Sequence, residues 1–169
     1  ILANSRNQVD FIYENLMIEC NLINSCFKNK IKNVIFLGSS CVYPSNINSK
    51  IKESDLLKSN LEKTNEGYAI AKIAGIKLCE YHRNYNKLNY FSLMPTNIYG
   101  PNDNYDLTTS HFVAAIIKKV YLAKKNNIKH VVLWGNGSAK REILYVDDLA
   151  DAVVFFINKK IKHSLINIG

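Results

Sequence analysis

Tyr68 and Lys72, four residues apart in TNEGYAIAKIAGIKLCEYH, are the side chains in this sequence best suited to proton transfer. On one helix that spacing places both on the same side, about 6 Å apart. A phenol titrates near 10 by itself, and a neighbouring ammonium favours the phenolate. The pair therefore predicts a Tyr68 pKa lowered toward a range useful for exchanging protons with a substrate. A lysine in an otherwise apolar stretch also has a plainer use, running its stem along the surface to reach water. Gly75, Cys79 and His82 continue the stripe, and Gly75 permits close approach to a strand or ligand. Upstream, GSSC at 38–41 closes an apolar run and sets Ser39 and Cys41 at what reads as a strand end.

These side chains must be positioned by regular elements, and the pattern supplies them. Residues 10–28, DFIYENLMIECNLINSCFK, are apolar around much of a helix, which predicts burial against two surfaces. NVIFLGSS reads as a strand buried on both faces, and a polar segment over 45–65 follows before the helix of the Tyr-Lys pair. NYFSLMP and HVVLWG read as strands, SHFVAAIIKKVYLAKKN and VDDLADAVVFFIN as helices, and SLINIG as a closing strand. Strands alternating with helices predict an α/β fold with a mainly parallel sheet. Ligands bind such sheets beyond the carboxyl ends of the strands, where GSSC, PTNIYG and WGNGSAKR fall.

At 169 residues and 47% hydrophobic content the chain is long enough to bury one substantial core. No apolar run of membrane-spanning length and no secretion signal is present, so the expectation is a cytoplasmic protein that does not engage a membrane. Cys20, Cys26, Cys41 and Cys79 lack paired spacing, which predicts neither a metal site nor a disulfide framework. The net charge of +8 favours an anionic partner. The basic residues are scattered through Lys-Asn connections rather than interleaved with aromatics, so a phosphorylated small molecule is expected and nucleic acid is not.

The serine at a strand end upstream of YxxxK resembles the extended short-chain dehydrogenase/reductase family. Within it, FLGSSCVYP, TNEGYAIAKIAGIKLCE, MPTNIYGPNDN, SHFVAAIIKK and VVLWGNGSAKREILYVDDLADA resemble the GDP-L-fucose synthases. That resemblance implies a Rossmann-like doubly wound parallel sheet with part of a smaller C-terminal substrate-binding domain. Residues 1–105 would be the C-terminal part of the NADP-binding domain, and 106–169 a mixture of substrate-binding region and returning sheet elements. It implies NADPH-dependent 3,5-epimerisation and 4-keto reduction of GDP-4-keto-6-deoxy-D-mannose. The alternatives are another NAD(P)-dependent sugar-nucleotide epimerase or dehydratase, and a non-catalytic GDP-sugar-binding fragment.

By the same resemblance Ser39 hydrogen-bonds the carbonyl, Tyr68 transfers the proton, and Lys72 binds the nicotinamide ribose while lowering the Tyr68 pKa. Cys41 is the epimerising base and His111 the acid, and both residue types titrate near neutral pH once modestly perturbed. Cofactor contact falls to Leu37, Gly38, Ser39, Ser40, Lys72, Pro95, Thr96, Asn97, Ile98 and His111, and GDP-sugar contact to Lys119, Trp134 and Arg141. Lys119 stands where relatives carry arginine, which keeps the charge but loses a bidentate grip. Gly67 stands where proline is common, which predicts a looser helix start. A homodimer through a four-helix bundle is also implied. The sequence holds no glycine-rich GxxGxxG unit, and GNG at 135–137 opens no helix. The pyrophosphate cradle is therefore expected before Ile1 and further substrate domain after Gly169, with the fragment alone a poor cofactor binder and inactive.

Overall fold

The computed structural model describes residues 2–47, 49–157 and 159–169. Its regular elements are α1 (Leu2–Arg6), α2 (Gln8–Lys28), β1 (Asn33–Leu37), α3 (Glu66–Asn86), β2 (Asn89–Pro95), β3 (Asn97–Tyr99), α4 (Phe112–Lys125), β4 (Ile143–Tyr145), α5 (Val146–Ile157) and β5 (Leu165–Ile168). Ile1, where the sequence starts, and Asn158, the last residue expected in the VDDLADAVVFFIN helix, lie outside the described residues.

β1, β2 and β5 form one parallel sheet in the order β1-β2-β5, with Leu37 beside Leu93 and Pro95 beside Ile168. β2 is the middle strand, and Tyr90, Phe91, Leu93 and Met94 are all buried. Successive strand residues point to opposite faces, so β2 needs a helix on each side. The Tyr90 ring meets His82 of α3 at 5.5 Å, and the Phe91 ring meets Phe156 of α5 at 6.1 Å. Helices cover both faces, the Rossmann-like doubly wound arrangement expected. Pro95 lacks an N–H and ends the strand, after which the Thr96 N–H donates to the Ile168 carbonyl.

α2 and α3 run side by side in the same direction. Phe11 touches Tyr68, Glu19 touches Lys72, and Phe27 touches His82, so their contacts advance together. Close packing is possible because α3 buries Gly67, Ala69, Ala71 and Gly75. Tyr13, Ile18 and Leu22 of α2 are 58–64% exposed, so the second covering expected from its all-round apolar character is not supplied among the described residues. Among the described residues, no helix is long and apolar enough to cross a membrane.

Three expectations need correction. HVVLWG is not a strand: the Val132 carbonyl accepts from Lys119 Nζ at 2.8 Å instead of a ladder, and Val132 and Trp134 are about three-quarters exposed. The short strands β3 and β4 pair there instead, Asn97 beside Ile143, two segments too brief to show a period. β1 is not buried on both faces, because it is the edge of its sheet and only Phe36 is buried. The start of α3 is not loose either. The Gly67 N–H donates to Gln8 Oε1 at 3.1 Å, while Gln8 Nε2 donates to the Lys63 carbonyl. A proline at 67 lacks that N–H.

A Cβ on Gly75 would stand 2.5 Å from Phe36 Cζ and 2.8 Å from Glu19 Oε2, so this glycine sets the distance between α2, α3 and β1. Gly75→Ala is expected to destabilise the fold by about 1–3 kcal/mol despite alanine's better helix propensity. Urea unfolding of the variant against wild type checks this, and an equal or higher midpoint would contradict it.

Candidate active site

β1 ends at Leu37, and the Gly38 N–H still donates to the Leu93 carbonyl, holding the following turn against the sheet. A single 3-10 turn over Ser40–Val42 comes next, capped by Ser39, whose Oγ accepts from the Cys41 N–H at 3.4 Å. Two residues after Ser39 the chain has therefore turned back on itself, and Ser39, Cys41 and the side of α3 bearing Tyr68 come together. A cleft of about 540 Å³ opens here, lined by Gly38, Ser39 and Ser40 on one side and by Pro95, Thr96, Asn97 and Ile98 opposite. Tyr68 and His111 also line it.

The Tyr68 ring is held edge-on by Phe11 of α2, with centroids 6.4 Å apart. One turn further along α3, Lys72 Nζ stands 5.6 Å from the Tyr68 ring centroid and 4.9 Å from that of Phe36. It donates to the Leu37 carbonyl at 3.3 Å and lies 2.9 Å from Glu19 Oε1. The approach to Oε1 is an ion pair off the hydrogen-bond direction, and neither Glu19 oxygen has a hydrogen-bond partner. Lys72 does not run to solvent, since its side chain is 15% exposed and that of Glu19 4%.

Burial, with the Cys41 and Glu19 charges adding to it, corrects the electrostatic expectation. Burial is the main cause that pushes the Tyr68 phenol up to about 12, followed by the Cys41 and Glu19 charges, with a hydrogen bond from Ser39 opposing them. A neighbouring ammonium favours the phenolate, but here a carboxylate sits on it and burial is the larger cause. Burial also pushes the Cys41 thiol up rather than down, against smaller lowering effects of its hydrogen bonds and of Lys72. Ser39 is the common partner, opposing the rise at both groups. Sequence reasoning missed Glu19 altogether. The signal was a carboxylate on the same helical stripe as Phe11 and Ile23, but which residue faced it was not readable.

The other expected site residues are dispersed. Leu37 contributes its carbonyl to Lys72. His111 is exposed at the cleft rim and caps α4 with its carbonyl, which accepts from the Ala115 N–H. Lys119 and Trp134 line a separate hollow of about 320 Å³, with Nζ 5.8 Å from the indole centroid. Arg141 is exposed, donates to the Lys140 carbonyl, and joins neither concavity. Thr96 Oγ1 and Ser110 Oγ are buried without hydrogen-bond partners. Thr96 lies on the cleft wall beside Pro95, so it has a hydroxyl to offer an amide-bearing ring laid against that wall.

The model of the NAD dependent epimerase/dehydratase family matches residues 1–169. The chain is 47% identical over its whole length to a GDP-L-fucose synthase from Sinorhizobium fredii, covering 54% of that protein. It is 49% identical over 91% of its length to a GDP-L-fucose synthase from Escherichia coli, covering 48% of it. Among solved structures, a GDP-mannoheptose C4 reductase from Campylobacter jejuni with NADP bound superimposes with a TM-score of 0.88 at 32% identity, over 99% of this chain and 60% of that one. The chain spans about half the length of the curated relatives it matches.

Because the Ser39 hydrogen bond opposes the rise of the Cys41 thiol, Ser39→Ala should leave less thiolate at any given pH. Alkylation of Cys41, followed by peptide mass spectrometry at neutral pH, is expected to slow several-fold. An unchanged or faster rate would show that Ser39 does not act on the thiol.

Proposed function

The chain belongs to the NAD dependent epimerase/dehydratase family, and we propose that it carries the catalytic side chains of an NADPH-dependent enzyme converting GDP-4-keto-6-deoxy-D-mannose to GDP-L-fucose. The observation behind this reading is the convergence of Ser39, Tyr68 and His111 on one cleft, with Cys41 and Lys72 attached through Ser39 and Tyr68. Similarity to GDP-L-fucose synthases supports the choice of substrate. In this reading residues 1–105 belong to the cofactor-binding domain, and 106–169 mix substrate-binding region with returning sheet elements.

NADPH, when bound, supplies the hydride for the C4 ketone. The residues that would hold it are Leu37, Gly38, Ser39 and Ser40 after β1, Pro95, Thr96, Asn97 and Ile98 after β2, and Lys72 and His111. The buried, unpartnered Thr96 hydroxyl and the apolar Pro95 and Ile98 near it fit such a group. Ser39 and Tyr68 hydroxyls polarise the ketone oxygen, and Tyr68 gives it a proton as the alkoxide forms. A phenol that titrates near 12 still holds its proton at neutral pH, so the free site is set for donation.

The same polarised ketone acidifies the hydrogens at C3 and C5. At each centre Cys41 takes the proton as a thiolate and His111 returns one from the opposite face, the thiol losing its proton and the imidazole regaining one by exchange with solvent between the two rounds, so both centres invert through enolates. In the free site Cys41 is chiefly a thiol, and the influences favouring its thiolate are the Ser39 hydrogen bond, its own backbone hydrogen bond and the Lys72 charge. Lys119, Trp134 and Arg141 serve the GDP moiety, a cation and an indole face already paired and an exposed guanidinium able to take a phosphate.

We also propose a homodimer, because α2 leaves Tyr13, Ile18 and Leu22 exposed and α3 leaves Ile70, Tyr81 and Tyr85 exposed. Two such helix pairs together would form a four-helix bundle. Light scattering is expected to give a dimer for the complete protein and a monomer for Ile18→Asp. A wild-type monomer would remove the bundle.

Cys41→Ser in the complete protein separates the chemistry. C3 and C5 exchange with deuterated water should be lost, while reduction of the unepimerised 4-keto sugar by NADPH survives. Intact exchange would refute the assignment of Cys41, and loss of both activities in a folded variant would refute the division of labour.

A further inference from the structure

The turn that carries Ser39 and Cys41 is weakly held by its own hydrogen bonds. The Val42 N–H donates to the Ser39 carbonyl at 3.3 Å, the Tyr43 N–H to the Ser40 carbonyl at 3.3 Å, and the Cys41 N–H to Ser39 Oγ at 3.4 Å. All three are longer than the usual length of about 2.9–3.0 Å. Its shape is therefore set from outside. At the entry, the Gly38 N–H donates to the Leu93 carbonyl at 2.9 Å. At the exit, the Tyr43 hydroxyl donates to Asn167 Oδ1 at 2.5 Å, and Val42 and Tyr43 are both buried. Asn167 is on β5, two strands from β1 and beside Met94 of β2. The Met94 sulfur in turn occupies the space next to Gly38, so Tyr43 spans the end of the middle strand.

Asn167 is itself fixed. Its Nδ2 donates to the Ile51 carbonyl at 3.4 Å, and its backbone N–H donates to Glu53 Oε1 at 2.9 Å, which leaves the amide oxygen aimed at Tyr43. Neither Tyr43 nor Asn167 lines the cleft, so any effect of theirs on the chemistry passes through the turn.

We propose that Tyr43 is a positioning residue: through its hydrogen bond to Asn167 it fixes the far end of the turn and so keeps the Ser39 hydroxyl on Cys41. This deepens the reading of Cys41 as the epimerising base and rests on it, because a thiol in a dry site forms its thiolate more readily where a donor stays aimed at it. The groups facing Cys41 are Ser39 of its own turn and Tyr68 and Lys72 of α3. Those facing Tyr43 are Asn167 of β5 and Glu53 and Asp55 of the turn over 53–55. Burial, with those two carboxylates adding to it, pushes the Tyr43 phenol up, so it remains a hydrogen-bond donor.

The test is Tyr43→Phe in the complete protein, which keeps the ring in the core and removes only the hydroxyl. Alkylation of Cys41 by iodoacetamide is followed across pH by peptide mass spectrometry, without substrate or cofactor. The midpoint should rise by about 0.5–1 pH unit, because part of a hydrogen bond to the charged form is lost. That corresponds to about a three- to tenfold fall in thiolate at a fixed pH below the midpoint. In a Ser39→Ala background the same substitution should move the midpoint no further, a coupling that a merely structural hydroxyl does not produce. A folded Tyr43→Phe protein with an unmoved midpoint would overturn the proposal, as would a full shift that persists without the Ser39 hydroxyl. If Tyr43→Phe does not fold, Asn167→Ala removes the acceptor instead, a raised midpoint supporting the idea and an unmoved one refuting it. Deuterium exchange at C3 and C5 of the 4-keto sugar by the wild-type protein is the separate control. Its absence would sink the proposed function, whereas the alkylation midpoint judges Tyr43 by itself.

Discussion

An ammonium and a carboxylate buried against each other in the seam between α2 and α3 govern how this site is built. Lys72 and Glu19 are both withdrawn from water, and a buried pair is tolerated only where each charge has the other close by. Truncating one partner of such a pair typically costs about 3–5 kcal/mol, because the other charge is left uncompensated. The helices are thereby obliged to keep a fixed rotation and register. That register places Phe11 on Tyr68 and Phe27 on His82, and brings α3 down on the end of β1.

The seam connects core packing to chemistry through few atoms. Gly75 lets Phe36 and the Glu19 carboxylate fit beneath α3, and Phe36 belongs to the strand whose last carbonyl, Leu37, accepts from Lys72. One residue on, Gly38 begins the turn that presents Ser39 and Cys41. A change in helix spacing therefore propagates to Ser39, where the hydrogen bonds that oppose the upward drift of both Tyr68 and Cys41 meet. Burial keeps the phenol protonated while making it a weaker acid, and it leaves less of the thiol as thiolate. The same desolvation thus leaves both groups dependent on nearby hydrogen bonds and charge.

Much of the fold was legible because its long elements repeat a period many times. The helices over 66–86 and 112–125 and the strands NVIFL and NYFSLMP each show the expected burial stripe or continuous apolar run. HVVLWG has an equally strandlike composition and failed, because a strand exists only where a partner backbone is available, and nothing in six residues says which backbone is adjacent. β3 and β4 were unreadable for the converse reason, three residues each with the pairing supplied by a segment some 45 positions away, a separation seen in Asn97 Nδ2 donating to the Glu142 carbonyl.

What the sequence alone determined was the alternation of strands and helices, the placement of Ser39 and Cys41 at a strand end, and the presence of Tyr68 and Lys72 on one helical side. Each follows from local period and spacing, which backbone geometry converts directly into direction. Only the tertiary structure decided the charge state those residues work in, because that depends on what is packed against them. Glu19 lies 53 positions before Lys72 in sequence and 2.9 Å from it in space. Burial among the packed elements, with the Cys41 and Glu19 charges adding to it, turned an expected acidic phenol into a proton-holding one, and no single helix carries that alone.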